Sequence, residues 1–271
     1  MKFLKEKKRI LITATMSAGK STLVNALIGQ RVMMMQNESC TSKPWIITED
    51  PTANRLYAKH KQFKIRFNQP IAEVLHQSKI TSLELFTPMY RLKSRHIWEL
   101  IDTPGVNSTS DRDHREVTEA YIKSNQYDVL LYILNGGHLG TKDDLAHLQF
   151  IYKFVPHHKV IFVINKVDQF RKSQDSIADS LVTMNIQLKK LGFVDPMIQP
   201  ISAHAGYLIK RELQDHELSE DELEELKIYT RKFARPEFNL SKTKITGPVN
   251  LLYKCGLYEL EQLIERKDVT L

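Results

Sequence analysis

A lysine and a serine stand directly behind a glycine in the run Ala14-Thr15-Met16-Ser17-Ala18-Gly19-Lys20-Ser21-Thr22. The run is one residue away from G-x-x-x-x-G-K-[ST]. A turn of this kind between a strand and a helix aims several backbone N–H groups at one point, and the helix N-terminus adds its positive dipole end. Gly19 would let the backbone approach a phosphate. Lys20 would place a charge between two phosphates, and the Ser21 hydroxyl would ligand Mg²⁺. Ala14 stands where the pattern has its first glycine. A positive φ there would cost an alanine roughly 1 kcal/mol.

Three more groups follow in order. Asp102-Thr103-Pro104-Gly105 offers a carboxylate that would hold Mg²⁺ through a water, and a Gly105 N–H free to swing towards a γ-phosphate. Asn165-Lys166-Val167-Asp168 offers a carboxylate, Asp168, that would accept two hydrogen bonds from guanine; adenine has no such pair of donors. The Lys166 stem would cover the base, and Asn165 would tie its loop to the phosphate loop. Ser202-Ala203 suits a loop offering a backbone N–H to guanine O6. Taken singly, the last three are weak signals. Their order, each behind an apolar strand, is what carries weight, because open α/β sheets bind ligands at the carboxyl ends of their strands.

The elements that must position these groups are legible as alternating strands and helices. Strands are predicted at 9–14, 97–102, 128–134, 159–165 and 197–201, and helices at 21–27, 113–124, 173–191 (closed by Gly192) and 256–266. Residues 128–134 and 159–165 are apolar throughout, as central parallel strands are. The fold class is therefore α/β: a P-loop domain with a mostly parallel central sheet and helices on both faces, one domain over 1–271. Two stretches exceed a minimal pattern. Residues 43–95 hold three strand-like runs and a short helix at 71–79, begun by Pro70. Residues 207–244 are charge-rich and helical around 219–233, where Ser219 and Glu222 form a capping-box pattern.

Composition sets the remaining bounds. The 271 residues are 42% hydrophobic, enough for one large core, and no window is long and apolar enough to span a bilayer. The basic start is followed by too short an apolar run for a signal peptide. Cys40 and Cys255 read as free thiols of a reducing cytosol. The net charge of +7 suits an anionic partner, but the charges are dispersed.

At these residues the chain resembles the TRAFAC-type GTPases and, among them, the dynamin-like proteins. The run Ser17-Ala18-Gly19-Lys20-Ser21 is similar to the dynamin phosphate loop, the gap from Lys20 to Asp102 exceeds that of a Ras-like domain, and the segment from Cys255 resembles the close of bacterial dynamin heads. The resemblance implies a cytoplasmic GTPase, at times peripheral to a membrane, that binds GTP or GDP with Mg²⁺ and self-associates through its head. Stalk and lipid-contacting regions would lie outside these residues. It implies Thr41 as the switch threonine and Mg²⁺ ligand, with Thr48 as an alternative, and Ser17 as holder of K⁺ or Na⁺ beside the catalytic Lys20. Met16 and Val106 depart from water-orienting glutamines. Arg31, Arg112 and Arg115 are candidate arginine fingers, and His138 is the histidine nearest the nucleotide edge; His157 and His158 read as surface groups. Two other readings stay open: an RNA-associated Era-like GTPase, for which no GXXG loop or basic–aromatic stripe is found, and a nucleotide-dependent scaffold with weak catalysis.

Overall fold

The computed structural model of the chain describes residues 5–15, 17–33, 44–60, 63–67, 84–104, 112–138, 141–241 and 246–267. The expected helix at 71–79 lies outside them. The strands are β1 Lys7–Ala14, β2 Trp45–Glu49, β3 Tyr57–His60, β4 Phe63–Arg66, β5 Glu84–Thr87, β6 Ile97–Asp102, β7 Val129–Asn135, β8 Val160–Asn165 and β9 Ile198–Pro200. They form a single sheet in the order β4-β3-β5-β2-β6-β1-β7-β8-β9. The helices are α1 Lys20–Ile28, α2 Arg112–Ser124, α3 Lys142–Phe154, α4 Ile177–Lys190, α5 Ala203–Leu213, α6 Glu220–Phe233, α7 Asn250–Lys254 and α8 Leu257–Arg266.

The parallel part of the sheet is β6-β1-β7-β8-β9. Ile10, Leu11 and Ile12 of β1 are fully buried, as are residues 129–134 of β7. Successive strand residues point to opposite faces, so both faces of the sheet must be covered. The registers Ile12↔Asp102, Ala14↔Ile133, Asn135↔Asn165 and Ile164↔Pro200 bring the carboxyl ends of all five strands to one edge. The chain leaves β1 towards β6 on one side and β7 on the other, which opens a crevice at that edge.

Residues 43–95 extend the same sheet. β2 runs antiparallel to β6 with Trp45 opposite Asp102, and β5, which the sequence reading did not assign, lies between β2 and β3. Three helices, α3, α5 and the five-residue α7, are absent from the sequence reading. α3 starts at a Thr141–Asp144 capping box. α5 is buried along most of its length and packs on α1. The Ser219–Glu222 capping box is present, and Gly192 closes α4 at φ 102, where an added Cβ would lie 2.6 Å from the Tyr152 ring.

α8 differs from the expected amphipathic helix. Leu257, Leu260 and Ile264 are buried, but so are Glu261, Gln262 and Glu265. Partners explain the buried charge. The Lys210 ammonium of α5 lies 2.5 Å from Glu261 and donates to Leu27 O at 2.9 Å. Arg91 bonds Glu49 and Glu265 and stacks 4.2 Å over the Trp98 ring, while His96 Nδ1 sits 2.8 Å from Glu265. Removing one member of such a pair leaves an unpaired buried charge. Lys210→Ala should therefore lower stability by about 3–5 kcal/mol, read as a lower urea midpoint. The double variant Lys210→Met/Glu261→Leu should lose less; if it loses more, the pair is not what strands the charge.

Candidate nucleotide-binding site

β1 ends at Ala14 in an extended conformation, so the position that lacks its glycine needs no positive φ. The left-handed residues come later, at Ser17 (φ 60) and Gly19 (φ 87). Gly19 is needed for space as well: a Cβ there would lie 2.4 Å from Asn165 Nδ2. Lys20, Ser21 and Thr22 form the first turn of α1, which has no acidic residue and no side-chain cap, leaving its N–H groups for an anion.

Lys20 Nζ lies 2.6 Å from Asp102 Oδ1 at the end of β6. Both side chains are largely withdrawn from solvent, and Asp102 Oδ2 is buried with no hydrogen-bond partner among the described residues. An orphaned carboxylate oxygen beside a lysine is what a cation or its bound water would satisfy, so these residues fit Mg²⁺. Thr103 anchors the following turn through its hydroxyl to Ile12 O at 2.9 Å, and Thr118 of α2 donates to Pro104 O at 3.0 Å.

Asn165 joins the phosphate loop to the base-side loops. Its Nδ2 donates to Ala18 O at 2.9 Å, and its Oδ1 accepts from Ala203 N at 3.0 Å. Ser202 caps α5 through Ala205 N and donates its hydroxyl to Asp168 Oδ1 at 2.5 Å. Lys166 takes the left-handed conformation at φ 67. Lys232 of α6 donates to the carbonyl of Asp168 at 2.6 Å and to that of Phe170. Contacts thus run without a gap from Asp102 through Lys20, Ala18 and Asn165 to Ser202 and Asp168.

Met16, Thr41, Gly105 and Val106 lie outside the described residues, as do Cys40 and the side chains of Arg112 and His138. The described residues place three further candidates. Thr48 sits within β2, its hydroxyl turned to Glu99 at 3.5 Å and well along the strand from Trp45, the residue opposite Asp102. Arg31 follows Gly29 at the far end of the nine-residue α1, about 13 Å from its start. Arg115 pairs with Glu119 at 2.9 Å on the exposed face of α2. His157 packs against Tyr152 and Phe193 before β8, at the edge opposite the site.

A buried polar layer beneath the phosphate loop was not foreseen. Thr15 donates to Asp144 Oδ1 at 2.7 Å, and Asp144 is also the capping-box residue of α3. One turn on, His147 Nε2 lies 3.3 Å from Thr13 Oγ1, and its ring is 5.3 Å from that of Tyr132. The signal was readable: Thr141 followed three residues later by Asp144 marks a helix start, with Leu145, Leu148 and Ile151 behind it.

The sequence model of the dynamin family matches residues 10–167, more than half of the chain, from within β1 to just past β8. The chain belongs to the dynamin family. It is 23% identical over 184 residues to dynamin-like protein A of Bacillus subtilis (strain 168), covering 64% of this chain and 14% of that protein. It is 24% identical over 184 residues to the bacterial dynamin-like protein of Nostoc punctiforme, covering 61% of this chain and 25% of that protein. The chain therefore spans a quarter or less of the length of these relatives. A solved bacterial dynamin, described as one of an oligomerised pair that senses and tethers membranes at long range, superposes with a TM-score of 0.52 at 16% identity. The superposition covers 98% of this chain and 40% of that one, and shows a shared fold. The domain has the α/β fold of the P-loop GTPases. No helix among the described residues is long and apolar enough to cross a membrane.

Burial pushes His147 down to about 4, with the Arg115 charge adding to the effect and Glu119 opposing it. The ring is neutral in the fold, whereas the unfolded chain takes up a proton near pH 6.5. Stability from this group is intact above about pH 6.5 and falls as the pH drops towards 4, by roughly 3 kcal/mol over the interval. His147→Phe should flatten that part of the urea stability profile; an unchanged slope between pH 6.5 and 4.5 would show that His147 is protonated in the fold.

Proposed function

We propose that this chain is the GTPase head of a dynamin-family protein, binding GTP with Mg²⁺ and hydrolysing its β–γ phosphoanhydride, faster when two heads meet across their nucleotides. The observation that carries this reading is the unbroken line of contacts from Asp102 and Lys20 through Asn165 to Asp168. It supports the reading because an orphaned carboxylate, free N–H groups at a helix start and a second carboxylate follow one another along one sheet edge, in the order a nucleotide would span them.

Each residue then has a distinct task. The N–H groups at the start of α1 and the Lys20 ammonium bind the phosphates, and Lys20 exchanges its Asp102 partner for them. Ser21 and Asp102, with Thr41, would hold the metal. When bound, Mg²⁺ neutralises charge developing on the transferred phosphoryl group. Asp168 accepts from the base, Ser202 fixes that carboxylate, and the Lys166 stem covers the ring. Ser17 would take part in charge stabilisation at the β–γ bridge, with K⁺ or Na⁺ as its partner. Thr41 would orient the attacking water by its backbone carbonyl. Phosphoryl transfer needs positioning and charge more than a strong base, so the absence of a glutamine at Val106 is compatible with turnover.

Self-association is supported by the oligomerised state of the related bacterial pair. A membrane role would use regions beyond this domain.

Lys20→Ala is expected to abolish GTP binding measured by calorimetry. Asp168→Asn should weaken GTP by about 10- to 100-fold and raise XTP relative to GTP, since xanthine presents an acceptor where guanine has its amino group; no gain for XTP would sink the base-reading role. In potassium buffer, phosphate release per head should rise with protein concentration. A flat profile from dilute to concentrated protein would remove activation by dimerisation while leaving the site itself standing.

A further inference from the structure

The described residues also form an open groove of about 350 Å³ between the turn after β8 and the end of α6. It is lined by no residue of the phosphate loop and by none of Lys166, Asp168 and Ser202. Arg171 and Lys172 enter it from the turn, and Arg231, Lys232 and Arg235 from α6 and its close. The rings of Phe170 and Phe238, each 3% exposed, form its floor. Lys232 sits 4.4 Å over the Phe238 ring and is fixed by the carbonyls of Asp168 and Phe170.

Five cations around one cavity repel one another, and few acids answer them. Glu237 pairs with Lys172 at 2.9 Å, and Asp175 accepts the backbone N–H of Arg171 at 2.7 Å. The guanidinium groups of Arg171, Arg231 and Arg235 form no ion pair with a described residue. Cations complement the carbonyl end of a helix, which accounts for Arg231 and Lys232 in the last turn of α6. It does not account for Arg171 and Lys172, which come from a different element to face the same space. Burial, and after it the Arg235 charge, hold the Lys232 ammonium below its usual range, against the pull of Asp168 and Asp175. Guanidinium forks bind phosphate oxygens in pairs. The volume is that of a small-molecule site.

We propose that this groove is a second anion site, which takes a compound carrying two or more phosphate groups, independently of the nucleotide pocket. The chemistry is shared by soluble phosphorylated compounds and by phosphorylated inositol headgroups of lipids. The site needs nothing from the GTPase reading.

Inositol hexakisphosphate titrated into the full chain provides the test. Saturable one-to-one binding is expected, equal in Lys20→Ala and weakened at least tenfold in Arg231→Gln/Arg235→Gln. Arg171→Gln, on the opposite wall, should weaken it in the same direction and guards against local unfolding of α6. Failure of GTP binding would leave this titration readable, and failure of the titration would leave the nucleotide site untouched. Phosphatidylcholine vesicles with and without phosphatidylinositol bisphosphate separate the sources. Sedimentation that requires the phosphorylated lipid and is lost in the double variant assigns the headgroup; soluble binding without sedimentation assigns the free compound. No saturable binding, binding unchanged in the arginine variants, or binding lost in Lys20→Ala would each overturn the proposal.

Discussion

Asn165 ends β8 with a buried carboxamide whose two polar atoms face opposite ways, one bonded to the phosphate loop at Ala18 and the other to the start of α5 at Ala203. A buried amide that lost either partner would leave a polar group unsatisfied, at a cost of about 1–3 kcal/mol. The two loops are therefore held at a fixed separation by covalent geometry and not by loop stiffness. Gly19 follows from the same constraint, because any side chain there would occupy the space of Asn165 Nδ2. The guanine end and the phosphate end of the pocket are thus one rigid assembly, set by a side chain of a central strand.

The electrostatics of that assembly are unbalanced in a useful way. Lys20 and Asp102 neutralise each other at 2.6 Å, while Asp102 Oδ2 has no partner. In a low-dielectric setting such a pair is costly to desolvate, and replacing it by an isolated charge would cost more. Exchange of partners avoids that cost: a polyanion arriving with a cation gives the ammonium an anion and the carboxylate a metal or its water at the same time. On the proposed reading, an anion bound alone would leave Asp102 facing added negative charge.

Much of this was readable because the nucleotide motifs are short, contiguous and placed on apolar strands whose period is unmistakable. β7 and β8 could hardly be anything other than central strands, and the loop behind β8 carries the candidates Asn165, Lys166 and Asp168. The unread parts have physical reasons. β5 has four residues and no alternation long enough to see. α5 starts directly behind Ser202, in the pair Ser202-Ala203 read as a base-side loop, and holds Gly206, a poor helix former, in its first turn. The Thr15–Asp144 contact joins residues far apart in the chain, and only the fold brings α3 beneath the phosphate loop. Ala14 was read as a departure from a glycine pattern, yet the strand continues through it and the positive φ falls at Ser17, at a cost of roughly 1 kcal/mol. The pattern recorded a residue type; the requirement was a backbone conformation, and that had moved along the loop.

The helix that presents Lys20 has no basic residue in its last turn. Its far end is completed from outside: Lys210 donates to Leu27 O, and Gln214 donates to Gly29 O at 2.8 Å. A cation at the carbonyl end stabilises the macrodipole whose positive end faces the phosphates. Because that cation is itself held by Glu261, the orientation of α1 depends on α8, the last described helix of the chain. Glu265, one turn further along α8, is tied through Arg91 to Glu49 at the end of β2, so the same helix also braces the strand that starts opposite Asp102. Buried ion pairs thus join the far ends of α1 and β2 to α8.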